Sequence, residues 1–140
     1  MYNPRSHNHF QPLIRGFDAN SLAPHTLYTE VRLENIRAHE NLIPLSVSDR
    51  AGLHIAAERH GRGVYITGHA EYYRDTLAKE YFRDVNKGLD PQKPYNYFPE
   101  DDASKTPPFT WRSNGHLLVS NWLNCYVYQQ TPYNFIDEKR

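Results

Sequence analysis

Cysteine is nearly missing from this chain: Cys125 is the only one among 140 residues. A single thiol forms no internal disulfide, and without a pair or quartet of cysteines no zinc cage is written into the sequence. Excess charge of either sign is missing as well. Lys plus Arg and Asp plus Glu each number 16, so the formal net charge is zero and no basic field exists to recruit nucleic acid. No apolar run approaches the ~20 residues of a membrane span. The opening residues, M-Y-N-P-R-S-H-N-H-F, lack the apolar centre of a secretory signal. Together these absences lead us to expect a cytoplasmic protein with neither nucleic-acid nor membrane partners. Internal repeats and low-complexity tracts are also not apparent. What is plentiful is tyrosine and proline, eleven and ten, which points to aromatic packing under irregular connections rather than a compact helical bundle.

A chain of this length makes one domain at most, with a modest core. We expect a single unit over 1–140: a polar leader at 1–12, strands, a hairpin and a strand–helix unit at 13–88, a long ordered loop at 89–113, a terminal helix at 114–130 and a tail at 131–140. His7 and His9 have an H-x-H spacing, but two histidines in a polar leader without a further ligand cluster do not define a metal site. Glu34 to His39 suggests a short helix. Leu42 to Val47 and Leu53 to Ala57 read as strands around the turn-rich Ser48-Asp49-Arg50-Ala51-Gly52. Gly61 then leads into a third strand, consistent with an antiparallel hairpin feeding it.

That third strand organises the rest. Val64, Tyr65 and Ile66 form a β-favouring apolar run between glycines, which suits a strand covered on both faces. Beyond Gly68, the residues Leu77, Ala78, Tyr81, Phe82 and Val85 recur at one-turn spacing, giving a helix that Lys87-Gly88 and Asp90-Pro91 end. Between strand and helix stand His69 and Glu71. Open α/β sheets place ligands beyond the carboxyl ends of their strands. An imidazole there accepts and returns a proton near neutral pH, and a carboxylate two residues on fixes its tautomer. Such a pair has the form of the base and orienter of a catalytic triad; a solvated polar turn has the same His-x-Glu spacing. Asn114 to Gln130 reads as a helix with Leu118, Trp122 and Cys125 on one face. We expect the preceding loop to be ordered by Tyr95, Tyr97, Phe98, Phe109 and Trp111.

Several ordered words surround His69. They are G-V-Y-I-T-G-H-A-E-Y, then D-T-L-A-K-E-Y-F-R-D-V-N-K-G-L-D-P, P-Y-N-Y-F-P, T-W-R-S and S-N-W-L-N-C-Y-V-Y-Q-Q-T-P-Y. Ahead of them stand R-G-F-D at 15–18 and P-H-T-L-Y-T-E at 24–30. Together they resemble the C-terminal half of the homoserine O-acyltransferases, the succinyl- or acetyl-transferring enzymes of methionine biosynthesis. The resemblance implies an α/β chain, the C-terminal half of a class I glutamine amidotransferase-like (flavodoxin-like) three-layer fold that is incomplete in isolation. It implies transfer of an acyl group from acetyl-CoA or succinyl-CoA to homoserine through a cysteine thioester, with acyl-CoA as co-substrate and no further cofactor.

By that resemblance His69 is the general base and Glu71 its orienter. Thr26 stands where the family typically has a serine associated with homoserine binding, and Arg83 matches the arginine that holds the homoserine carboxylate, a task suited to two parallel N–H donors. Arg83 also has a plainer option, pairing with Glu80 or Asp84 on a solvated helix face. Straight helix from Glu71 to Arg83 would span roughly 18 Å, so both serve one pocket only if the helix starts late or bends. Leu27 replaces the arginine usual in the family, Asn114-Gly115-His116 replaces its His-Gly-Asn, and Cys125 stands where it has tyrosine. The family's nucleophile is a cysteine at a strand-to-helix elbow, and this sequence has no such elbow. Two expectations follow: a homoserine O-acyltransferase portion that is inactive alone and completed by an N-terminal chain or a homodimer, or a noncatalytic binding or subunit-interaction module.

Overall fold

A computed structural model of the chain describes residues 12–18, 20–26 and 31–130. The leader histidines His7 and His9, the departure at Leu27 and the tail lie outside them. The fold is α/β. A short helix α1 (Leu33–Ala38) leads into three strands, β1 (Leu42–Ser48), β2 (Gly52–Glu58) and β3 (Val64–Ile66). Two longer helices follow: α2 (Thr76–Asn86) and α3 (Arg112–Trp122), the latter continuing through a wider π turn at Leu123–Val127 to Gln130.

The sheet is antiparallel in the order β1-β2-β3. Its first turn is set by Ser48, whose Oγ accepts the N–H groups of Arg50 and Ala51, each at 3.1 Å, while Gly52 takes the positive φ of 69° that closes the turn. Pro44, lacking a ladder donor, sits on β1, an outer strand of this sheet, beside a register shift between Pro44 and Ser46. The double-sided cover expected for Gly63 to Gly68 belongs instead to β2, where Leu53 through Ala57 are all buried. β3 has one neighbour among the described residues, and Tyr65 and Ile66 are 49% and 45% exposed. The reason is position. β2 occupies one edge of β3, and no described strand lies on the other.

Two clusters hold the unit together. On one sheet face Ile55 and Ala57 pack with Leu13, Ile14, Leu45 and Leu118, so α3 and the turn at Pro12–Ile14 share that core. The buried Asn121 amide fixes this contact by donating to the carbonyls of Leu13 and Arg15 at 3.0 and 2.8 Å. The second cluster joins α2 to the loop at 89–111 through Leu77, Tyr97, Phe98 and Trp111. Its polar atoms are matched: the Tyr97 hydroxyl donates to the Arg74 carbonyl and accepts the Ala78 N–H, and Trp111 Nε1 donates to the Tyr72 carbonyl at 2.9 Å. Tyr95, expected among the packed rings, is instead 62% exposed, with the Arg50 guanidinium 3.7 Å from its ring centre.

Candidate functional site

The segment after β3 leaves the sheet in short turns rather than in helix. Thr67 closes the ladder, its N–H donating to the His54 carbonyl at 3.0 Å and its hydroxyl to the Leu53 carbonyl. Two residues on, the His69 N–H donates to the Pro24 carbonyl at 2.8 Å, which ties the Pro24–Thr26 stretch to this loop. From the far side α3 closes in. A side chain at Gly115 would put its Cβ 2.6 Å from the Ala70 Cβ, so only glycine permits this approach directly between His69 and Glu71.

Held in this way, His69 Nδ1 lies 2.7 Å from Glu71 Oε1. Since a carboxylate only accepts, Nδ1 is the donor in this contact, and a neutral ring so held has its lone pair on Nε2, the tautomer a general base requires. The His69 ring stacks on Tyr72 at 4.5 Å between centres and 17° between planes, which restricts its rotation. Its side chain is 32% exposed, so the imidazole is reachable while the Glu71 carboxylate stands in solvent at 70%.

Two further histidines lie beneath. His54, on β2, is buried, its Nδ1 3.3 Å from Ser46 Oγ, and its ring meets that of His25 edge-on at 5.4 Å between centres. Burial, then the charge of His25, lowers His54 to about 4. Burial, then the charge of His69, lowers His25 to about 4. Both are uncharged at neutral pH. Neither stood out in the sequence, because residues 25, 54 and 68 meet only through tertiary folding.

Thr26, half-buried, follows His25 in the stretch tied to His69. Arg83 lies on α2, where Nε and Nη2 donate to the two Asp84 carboxylate oxygens at 2.8 and 3.0 Å. That guanidinium holds the Asp84 carboxyl below its usual range. Helix begins only at Thr76, so the straight rise to Arg83 is about 10 Å rather than about 18 Å. Cys125 lies at the other end of β3 from His69. Close approach of Gly115 to Ala70 and of Tyr126 to Gly61 makes α3 and its continuation run along β3 from its carboxyl to its amino end. Cys125 is therefore about 15 Å along the helix from the His69 loop. An open cleft of about 630 Å³ among Glu58, Arg59, His60, Arg62 and Tyr126 lies at that same far end. Among the described residues no three His, Cys, Asp or Glu side chains are grouped to hold a metal, and no helix is long and apolar enough to cross a membrane.

Comparison with known proteins gives a consistent result. The family model for homoserine O-succinyltransferase matches residues 1–133. The homoserine O-succinyltransferase of Vibrio atlanticus (strain LGP32) is 47% identical over 134 residues, which is 96% of this chain and 43% of that protein. That of Shewanella woodyi (strain ATCC 51908 / MS32) is 49% identical over 133 residues, 95% of this chain and 42% of that protein. A homoserine O-acetyltransferase of Brevibacillus brevis (strain 47 / JCM 6285 / NBRC 100599) is 52% identical over 128 residues, 91% and 42% of the two chains. The chain thus spans less than half the length of these curated relatives.

Proposed function

The chain belongs to the homoserine O-succinyltransferase family, and from that premise we propose that it supplies the base side of an acyltransferase site. The observation that carries this reading is the 2.7 Å pairing of His69 Nδ1 with Glu71 Oε1 just beyond the carboxyl end of β3. In the proposed reaction, His69 Nε2 takes the proton of a cysteine thiol, and the thiolate attacks the acyl-CoA carbonyl. The CoA thiolate leaves and takes that proton. His69 then removes the homoserine hydroxyl proton, the oxygen attacks the thioester, and the cysteine leaves as a thiolate that recovers the proton. Glu71 stabilises the imidazolium at both stages. Thr26 contacts homoserine, and Arg83 exchanges Asp84 for the substrate carboxylate. Relatives bearing both the succinyl and the acetyl name match this chain about equally, so either acyl-CoA is a substrate candidate.

The cysteine belongs to the part of the class I glutamine amidotransferase-like fold that this chain does not match. That part docks on the edge of β3 that no described strand occupies. Ladder bonds from Thr67 to His54 and from Glu58 to Gly63 direct the backbone groups of 63, 65 and 67 at β2, which leaves those of Val64 and Ile66 pointing the other way. The exposed Tyr65 and Ile66 side chains suit the same docking. A noncatalytic interaction module would use this edge too, but it has no need of an oriented imidazole. The test is reconstitution with the portion of the Vibrio atlanticus relative that this chain does not match. Homoserine-dependent thiol release from succinyl-CoA or acetyl-CoA is expected from the pair and not from the chain alone. A folded complex that turns over neither donor defeats the reading.

A further inference from the structure

His25 and His54 have no part in the proton transfers above, yet they stand directly under the residue that precedes the base. A Cβ built on Gly68 would lie 2.8 Å from His25 Nε2, 2.8 Å from His54 Cδ2 and 2.9 Å from His54 Nε2, closer than side-chain carbons normally come to any atom. Gly68 needs no unusual backbone angle, since it is not among the glycines with positive φ. Its missing side chain is therefore a matter of space, and the two rings fill that space. Each ring is fixed in turn. His54 is anchored on β2 and by Ser46, while His25 lies between Pro24, whose carbonyl holds the His69 N–H, and the edge of the His54 ring.

We infer that His25 and His54 are positioning residues: two imidazoles forming a shelf under Gly68 that sets the angle at which the chain turns out of β3, and so aims His69 at Glu71. The inference rests on the His69–Glu71 reading of the site. Uncharged rings suit this place, because a cation there would compete with the imidazolium that forms at His69; Ser46 on β1 faces His54, and the charge of His69 acts on His25. Every group named lies within this chain.

The test is imidazole 15N NMR of the full chain at neutral pH, read at His69. In the wild type we expect one tautomer, with a slowly exchanging Nδ1 proton. Gly68→Ala and His54→Ala should each lose that proton signal and average the two nitrogens, while the amides of Ile55 and Ala56 remain protected and report an intact sheet. His54→Phe, which restores a ring, should retain the signal. In the double variant Gly68→Ala/His54→Ala the added methyl enters the vacated space, so the signal should recover at least partly, a non-additivity that a general loss of stability would not produce. A wild-type His69 signal unchanged in both single variants overturns the shelf and leaves the base intact. A wild type without the Nδ1 proton overturns the base, and the shelf with it.

Discussion

At His69 the proposed chemistry depends on a short chain of contacts: Glu71 pairs with Nδ1, Tyr72 limits ring rotation, and the Pro24 carbonyl holds the backbone. Replacing Glu71 by Gln keeps a hydrogen-bond acceptor but removes the charge that stabilises an imidazolium. In the reconstituted enzyme Glu71→Gln should lower kcat by about 10- to 100-fold with little change in KM for homoserine; a changed KM with normal kcat would assign Glu71 to substrate binding instead. The histidine pair makes a separate prediction about stability. Unfolded imidazoles bind protons from about pH 6.5 downward, whereas folded His25 and His54 do so only near 4. The unfolded state therefore binds more protons across that window, so stability is complete above about 6.5, declines as pH falls towards 4, and then levels off. For His54 the gap corresponds to about 3 kcal/mol. Urea midpoints measured from pH 7 to 4 should fall, and His54→Gln should flatten the decline; an unchanged slope would remove His54 as its source.

Helix and turn ends were legible because their signals are local. Lys87-Gly88 stops α2 in a Schellman motif, with Gly88 N–H donating to Val85 and Leu89 N–H to Asp84, at 2.9 and 3.1 Å, and Gly88 at φ 74°. The hairpin turn at Ser48 to Gly52 was similarly visible. Burial of β3 was not, since the apolar letters Val64, Tyr65 and Ile66 suggest cover, whereas Tyr65 and Ile66 are exposed and β2 is the one described neighbour of β3. The π turn at Leu123–Val127 left no mark in the 3.6-residue pattern, and the histidine shelf left none because its members are distant in sequence. Two glycines separate strain from space. At Gly88 nothing lies within 4 Å of an added Cβ, so Gly88→Ala should cost only the left-handed backbone term, about 1 kcal/mol. At Gly61 (φ 71°) the Tyr126 ring would be 1.8 Å away, so Gly61→Ala should cost clearly more in chemical denaturation. Equal costs would mean that the α3 continuation does not pack on that turn.

For the molecule as a whole, the β3 edge that no described strand occupies and the His69–Glu71 pair belong to one strand–loop unit, and the chain covers 42 to 43% of the relatives described above. Under the proposed reading, the part of the family fold outside the matched portion of the relatives supplies both a neighbouring strand and the reactive sulfur. On reconstitution, hydrogen exchange should slow at Val64 and Ile66, whose amides face away from β2, and change little at Tyr65 and Thr67, which β2 already protects. Fast exchange at Val64 and Ile66 in an active complex would move the docking surface elsewhere without touching the chemistry. The chemistry itself is tested most directly by homoserine-dependent thiol release in the reconstituted enzyme, comparing wild type with His69→Ala. A fall of about 10²- to 10⁴-fold is predicted, and equal rates would contradict the assignment of His69 as the base.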